Sequence, residues 1–223
     1  MRLAVWIPVA AVLPAWALPT GAQAPPAVPG PATGKTIRLK VMTYNIKVGA
    51  GGDKTKTRPA DLEPVAKVIE AEKPDLVGLQ EVDRLRKRSG GVDQPAWLAK
   101  RLGMQVVYEV AIRWDPNPPG RDEYGIAVLS RFPIRSSERH PLFKPGLRAG
   151  QPPGLAEQRI LQSATVVAEG IPIRFLNTHL GLTADQRREQ VRQIAEAAAG
   201  GTGPLILTGD FNARPEEPAM KPL

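Results

Sequence analysis

Four apolar runs of this sequence end on side chains that can bind a cation or move a proton. The runs VMTYNI, LVGLQEV, IRFLNTHL and LILTGDFNA carry these candidates at or near their ends: Asn45, Glu81, Asn177, His179, Asp210 and Asn212. Asn, Asp and Glu are poor strand formers, and a carboxylate beside a buried run costs several kcal/mol unless it is paired or bound to a cation. Because the pattern recurs in several strands, we expect these strand ends to meet at one polar cleft.

The residue types at these ends predict an oxygen-rich metal site. Glu81, Asn45 and Asp210 offer carboxylate and amide oxygens, which suit Mg²⁺ or Mn²⁺ and suit zinc poorly. A hard cation beside a phosphate neutralises charge and polarises the phosphoryl oxygen. We expect Asp210 to orient or deprotonate water and Asn212 to donate to a developing oxyanion. We expect His179 to donate to a phosphoryl oxygen or to protonate the leaving group.

Each of these residues also has an ordinary structural interpretation. Asn45 suits a turn or a cap, and Glu81 can pair with the basic run RLRKR that follows it. His179 can be an edge histidine with satisfied hydrogen bonds, and Asp210 and Asn212 can cap a turn. If these residues had only structural roles, a separate explanation would be needed for each one, although all of them lie at the ends of predicted strands. We therefore favour a common functional site, to which Asn45 and Asn177 would add contacts with the substrate.

The elements that must position these residues are predicted from hydrophobic periodicity. Helices are predicted within DLEPVAKVIEAEKP, DQPAWLAKRLG and TADQRREQVRQIAEAAAG, with Asp61, Asp93 and Thr183 as N-caps. Further strands are predicted in MQVVYEVAI, EYGIAVLSRF, PIRSSERHPLF and RILQSATVVAEG. Strands outnumber helices, and neighbouring strands can pair as hairpins. We therefore expect an α+β or mixed α/β layered sandwich rather than a purely parallel sheet.

The N-terminal sequence predicts export. Residues 1–24 have a basic start, an apolar centre and a small-x-small ending, which is the pattern of a secretory signal peptide. An uncleaved membrane anchor is the alternative, and the short run with Pro8 and Pro14 disfavours it. Residues 25–36 are rich in Pro, Gly and Ala and predict an extended linker. The folded domain is expected at 37–223, in the periplasm or outside the cell.

Composition restricts the class of protein and of partner. The 223 residues suit one sizeable domain, and the formal net charge is +8. The absence of cysteine excludes disulfides, thiol catalysis and thiolate metal sites. A basic exported protein suits a phosphate-bearing partner, which leaves nucleic acid, an anionic lipid surface and phosphorylated small molecules as candidates. The sequence contains no P-loop and no dinucleotide-binding fingerprint.

Taken in order, the motifs TYNI, LQEV, RSGGVDQ, EYGIAVLSRFPI, NTHLGL and TGDFNA resemble the endonuclease/exonuclease/phosphatase superfamily. The resemblance implies a four-layer α/β sandwich of two mixed β-sheets flanked by helices. It also implies Mg²⁺-dependent hydrolysis of phosphodiester or phosphomonoester bonds, as in nucleases, sphingomyelinases or phosphatases. Position by position, it implies that Glu81 binds the metal and that Asn45 lies near metal and phosphate. It matches His179 to the histidine of the nuclease and sphingomyelinase branches, and Asp210 and Asn212 to the pair that positions water and stabilises the transition state.

Members of this superfamily continue beyond GDFN to a late aspartate and a terminal Ser-Asp-His segment. The resemblance therefore implies that this sequence lacks the last strands, either as an incomplete gene product or as a shortened relative, and that its activity is impaired. The alternative to an enzyme is a non-catalytic exported module that binds nucleic acid or anionic lipid without turnover.

Overall fold

A computed structural model describes residues 3–8, 36–50, 60–114, 121–146, 150 and 156–223 of the chain. Of the predicted signal peptide, these ranges include only the strand at 3–8. The predicted linker lies outside the described residues except for Thr36. In the part of the chain that the structure describes, no helix is both long and apolar enough to cross a membrane.

Two mixed β-sheets form the centre of the molecule. The first has the order β1-β2-β3-β5-β4, with strands β1 (Leu3–Pro8), β2 (Arg38–Asn45), β3 (Leu76–Arg84), β4 (Gln105–Arg113) and β5 (Glu123–Ser130). The second has the order β6-β7-β8-β9, with strands β6 (Ile134–Pro141), β7 (Ile160–Ala168), β8 (Ile171–His179) and β9 (Leu205–Asp210). Each sheet has one parallel pair, β2 with β3 and β8 with β9, and is otherwise antiparallel.

Three helices complete the sandwich: α1 (Glu63–Glu72), α2 (Gln94–Leu102) and α3 (Ala184–Ala199). Apolar residues of α1 and α2 pack against the outer face of the first sheet, while α3 covers the outer face of the second. A third apolar cluster fills the space between the sheets, where Val128 of one meets Phe175 of the other. The predicted fold class, a layered sandwich of two mixed sheets with flanking helices, is confirmed.

The helix boundaries follow from local capping chemistry. Asp93 caps α2 by accepting a hydrogen bond from the N–H of Ala96 at 3.0 Å, and Thr183 forms a capping box with Gln186 at the start of α3. The prediction of Asp61 as the N-cap of α1 is wrong by one residue. The N-cap is Leu62, and the Asp61 carboxylate accepts from the N–H of Glu63 at 3.0 Å.

A buried polar contact joins the two sheets close to the predicted cleft. The Asn177 side chain is fully buried, and its Nδ2 donates to the carbonyl oxygens of Leu79 and Ala127, each at 3.1 Å. Its Oδ1 accepts from Gln80 Nε2 at 2.7 Å. The sheets approach closely here, because a Cβ built on Gly78 would lie 2.6 Å from Asn177 Oδ1. This contact fixes β3 and β8 relative to each other, and with them the residues at their ends.

Candidate active site

Three predicted site residues from different strands meet at one end of the sandwich. Asn45 ends β2, Asp210 ends β9, and Glu81 lies near the end of β3. The Asn45 Nδ2 is 2.8 Å from Glu81 Oε1 and 2.8 Å from Asp210 Oδ2. One amide group therefore donates to two carboxylates that belong to different sheets.

A β-bulge turns Glu81 toward this amide. The pairing of β3 with β5 shifts between Leu79 and Val82, so that Gln80 and Glu81 lie opposite the single residue Ile126. Glu81 takes a φ of 55°, in the left-handed region that non-glycine residues rarely adopt. Such a conformation costs about 1–3 kcal/mol and is common at functional sites. The bulge interrupts the two-residue alternation of the strand and presents the carboxylate at its end.

Asp210 is held ionised by its hydrogen bonds. Burial alone would favour the neutral acid, but hydrogen bonds from the Asn45 amide and the Asn212 N–H lower the pKa of Asp210 below its ordinary value. The Asn212 N–H donates to Asp210 Oδ1 at 3.0 Å. The Asn212 side-chain Nδ2 donates to the Leu180 carbonyl at 2.9 Å. Asn212 thus orients the carboxylate through its backbone, and its side chain ties the end of β9 to the end of β8.

His179 ends β8 beside this carboxylate and is largely buried. Its Nε2 lies 3.9 Å from Asp210 Oδ2, and its Nδ1 lies 3.1 Å from the Nη1 atom of Arg159. Burial, and secondly the charge of Arg159, lower the pKa of His179 to about 4, although Asp210 opposes the shift. The imidazole is therefore neutral at pH 7.

Asn177 differs from its predicted geometry, whereas Asn45 is seen here mainly as a donor. The Asn45 Oδ1 accepts from the N–H of Lys47 at 3.0 Å, and its Nδ2 aligns two carboxylates. Its role as an oxygen ligand stays a prediction, because an amide oxygen has a second lone pair. The prediction placed Asn177 in contact with substrate. The structure instead buries its amide between the sheets and uses both of its polar atoms there.

The arginines that follow Glu81 pair with other acids. Each contact joins residues close to the loop that follows β3: Arg84 with Glu123, Arg86 with Asp122, and Arg88 with Asp83. None of the described lysines and arginines forms a salt bridge with Glu81. The interpretation of Glu81 as the ion-pair partner of the RLRKR run is therefore wrong, and its carboxylate faces Asn45 instead.

Sequence reasoning missed two residues of the site, Arg159 and Tyr124. Arg159 immediately precedes β7, and the β7–β8 register, which pairs Leu161 with Thr178, brings it beside His179. Burial raises the pKa of Tyr124, with a further contribution from the Glu81 charge, so its phenol stays protonated. A basic residue before a strand and a tyrosine within one are common features. Only the pairing of the strands gives them a place in the site.

The donor set fits a hard divalent cation with few protein ligands. Two carboxylates, Glu81 and Asp210, converge on the same small region, and Mg²⁺ is usually bound by one or two carboxylates together with water and phosphate oxygens. Within the described ranges, no group of three or more His, Cys, Asp or Glu side chains could hold an ion. With two protein carboxylates, such an ion would complete its coordination with water and phosphate oxygens.

A model of the endonuclease/exonuclease/phosphatase family matches residues 42–223. The chain belongs to this family. The strand ends that carry Asn45, Glu81, His179 and Asp210 all lie within the matched residues.

Solved structures agree with this assignment. An endonuclease/exonuclease/phosphatase protein from Beutenbergia cavernae is 28% identical with a TM-score of 0.60, and the match covers 80% of this chain and 48% of that one. The human Nocturnin catalytic domain, solved with bound sulfate, is 26% identical with a TM-score of 0.54 over 82% of this chain and 68% of that one. The chain thus spans about half the length of the Beutenbergia protein.

A mannosyl-6-phosphatase from Bacteroides thetaiotaomicron is also similar. It is 19% identical with a TM-score of 0.60, and the match covers 82% of this chain and 69% of that one. At this identity the likeness shows the fold alone.

Proposed function

We propose that this protein is a divalent-metal-dependent hydrolase of phosphodiester or phosphomonoester bonds, with Mg²⁺ or Mn²⁺ as the ion. The observation that carries the proposal is the Asn45 amide, which holds the Glu81 and Asp210 carboxylates 2.8 Å from one nitrogen. Two carboxylates so close to each other repel, and a divalent cation relieves that repulsion. Family membership and the sulfate bound by Nocturnin support a phosphate-bearing ligand.

The ion, Asp210 and His179 would each have a different role in the reaction. When bound by Glu81 and Asp210, the ion would neutralise phosphate charge and polarise a phosphoryl oxygen. The pKa of Asp210 lies below its ordinary value, so its carboxylate is a weak base at neutral pH. It is therefore better suited to orienting an attacking water than to removing a proton from that water. Neutral His179 has one N–H to donate to a phosphoryl oxygen or to the leaving group.

The substrate class follows from charge. The formal net charge of +8 favours encounter with anionic partners, among them nucleic acid, phospholipid and phosphorylated small molecules.

We also propose that residues 1–24 direct export and are removed. Removal would take away β1 and leave β2 as the edge of the first sheet. N-terminal sequencing of the protein recovered from the periplasm or medium tests this, and an intact Met1 there would contradict it.

The enzymatic proposal is tested with a substrate panel. DNA, RNA, sphingomyelin, inositol phosphates and bis-p-nitrophenyl phosphate are each incubated with Mg²⁺ or with EDTA. We expect turnover of at least one in Mg²⁺ and none in EDTA. Glu81→Ala and Asp210→Asn should each lower kcat/KM at least about 100-fold. Glu138→Gln, which changes an exposed carboxylate on β6, is the control and should keep wild-type activity.

Two outcomes would overturn the proposal. Turnover that persists in EDTA and in both site variants would show that another protein or another site is responsible. Salt-sensitive retention of DNA or of anionic vesicles with no turnover of any substrate would support a non-catalytic binding module instead.

A further inference from the structure

We propose that Arg159 is a positioning residue, which holds His179 as the Nε2–H tautomer so that this N–H faces the Asp210 side of the site. The inference rests on the proposed function for its catalytic meaning. Its structural part, the tautomer of His179, can be measured whether or not the protein turns over a substrate.

The direction of the hydrogen bond fixes the tautomer. The Arg159 Nη1 atom lies 3.1 Å from His179 Nδ1, a normal hydrogen-bond distance. A guanidinium group has only donors and does not lose its proton in proteins. Therefore Nδ1 must be the acceptor, and an imidazole nitrogen accepts only when it carries no hydrogen. The single N–H of the neutral ring must then be at Nε2.

Arg159 is itself held in place from several sides. Its side chain is 6% exposed, and its Nη2 atom lies 3.2 Å from Glu157 Oε2. Its backbone carbonyl accepts from the N–H of Leu142 at 2.9 Å and from Gln158 Nε2 at 2.7 Å. A buried guanidinium with a carboxylate on one side and an anchored backbone has few alternative positions. It can therefore act as a fixed donor to the imidazole.

The opposite nitrogen of the ring faces the carboxylates. His179 Nε2 lies 3.9 Å from Asp210 Oδ2, which is too far for a hydrogen bond. Among the described residues, no hydrogen bond from this nitrogen is found. The Nε2–H group is thus close to the ionised Asp210 but does not donate a hydrogen bond to it. A phosphoryl oxygen near the two carboxylates would meet a donor already oriented toward it.

Removing the guanidinium would free the ring. Without Arg159, Nδ1 has no donor, and Asp210 would attract whichever protonated nitrogen the ring can turn toward it. Both tautomers and both ring orientations then become accessible. The expected consequence is a loss of transition-state donation with little change in ground-state binding, because the charge and shape of the rest of the site are kept.

The tautomer is measured by long-range ¹H–¹⁵N NMR of protein labelled at histidine and carrying no added histidine tag. The sequence has only two histidines, so His140 on β6, which is half-exposed, serves as an internal reference. Near pH 7.5, in EDTA, we expect His179 to show a protonated Nε2 and an unprotonated Nδ1 shifted by an accepted hydrogen bond. A protonated Nδ1 in the wild-type protein would overturn the proposal without any variant.

Variants of Arg159 then test its part in the tautomer. In Arg159→Met the Nδ1 resonance should move to the position of an unbonded acceptor, with a larger share of the Nδ1–H tautomer. Arg159→Lys keeps a donor-only cation and should restore the wild-type resonance at least in part. Arg187→Met removes another buried guanidinium, one that contacts the Leu182 carbonyl and Glu217, and should leave His179 unchanged. An Nδ1 resonance that is identical in wild type and Arg159→Met would contradict the inference.

Kinetics connects the tautomer to the reaction. With the substrate found in the panel, Arg159→Met should lower kcat about 10- to 100-fold while KM changes less than about threefold. Arg159→Lys should recover part of kcat. A rise in KM with kcat unchanged would show that Arg159 binds substrate instead of positioning His179. If the wild-type protein shows no turnover, the proposed function fails, and the NMR result still decides whether Arg159 fixes the tautomer.

Discussion

Two ionisable residues at the centre of the site hold different charges at neutral pH, and the physical cause differs between them. Asp210 accepts from Asn45 and from the Asn212 N–H, and these bonds keep its pKa below the ordinary range. His179 is buried beside a guanidinium, and both effects lower its pKa. At neutral pH the pair is a carboxylate beside a neutral imidazole. An ionised acceptor and a neutral donor are therefore both present without any change of pH.

The low pKa of His179 predicts how stability depends on pH. In the unfolded chain the imidazole binds a proton near pH 6.5, whereas in the folded protein it does so only near pH 4. As the pH falls between these values the unfolded state binds more protons, so the free energy of unfolding should fall by up to about 3 kcal/mol. Urea unfolding in EDTA at several pH values measures this. Asp210 loses its contribution only at lower pH, through its own depressed pKa.

His179→Gln removes the titrating group and should flatten the profile between pH 6.5 and 4. His140→Gln, which changes the half-exposed histidine, should keep the wild-type slope. Parallel profiles for wild type and His179→Gln would show that other groups govern the acid sensitivity.

Among the elements, the bulge in β3 is the one that creates the site. A regular strand alternates its side chains between two faces, and the extra residue at Gln80–Glu81 breaks this alternation at the sheet end. The cost is a left-handed backbone at Glu81 and a carboxylate next to Asp210. Both costs are tolerated because the surrounding strands fix the conformation.

Because the backbone at Glu81 is strained, we expect a substitution that relieves the strain to stabilise the protein and to weaken Mg²⁺ binding. Asn tolerates a positive φ better than Glu and carries no charge, so Glu81→Asn should raise the free energy of unfolding in EDTA by about 1 kcal/mol. Mg²⁺ should raise the melting temperature of the wild-type protein and leave that of Glu81→Asn unchanged. Thermal unfolding with and without Mg²⁺ measures both effects.

Lys73→Asn provides the matched control, since Lys73 also has a positive φ, at the end of α1 and away from the site. It should gain stability from the relieved backbone while keeping the wild-type response to Mg²⁺. The idea would be wrong if both variants lost the Mg²⁺ response, or if neither did.

At the scale of the whole molecule, the site exists because two sheets pack in one relative position. β2 and β3 belong to the first sheet and β8 and β9 to the second, so Asn45 and Asp210 meet only across the sandwich. Apolar packing between the sheets is non-directional, whereas the Asn177 amide bonds specific carbonyl groups of β3 and β5. Asn177 therefore helps to set the register between the sheets rather than to bind substrate.

Asn177→Leu tests this structural role. The substitution keeps the approximate size but leaves the Leu79 and Ala127 carbonyls without their donor, so it should lower the free energy of unfolding by about 3 kcal/mol. KM should stay within about threefold of wild type in the folded protein. Thr165→Val on β7 is the control and should be nearly neutral. A raised KM with an unchanged free energy of unfolding would show that Asn177 binds substrate.

Local sequence determined the elements and the residue types at their ends. Alternating apolar residues predicted β2, and a continuous apolar run predicted β9. Polar side chains that accept hydrogen bonds predicted the starts of α2 and α3. These signals were readable because they depend only on residues close together in the chain. The positions of Asn45, Glu81 and Asp210 at strand ends were readable for the same reason. These signals supported a metal-dependent phosphoester site as a hypothesis.

Only the tertiary structure decided which side chains contact one another. Asn177 lies between the sheets, the arginines after Glu81 form ion pairs with other acids, and Arg159 donates to His179. Each of these contacts depends on the register between strands, or the packing between sheets, of residues far apart in the chain. A periodic pattern shows which face of a strand is buried, but not which residue of another strand lies across from it.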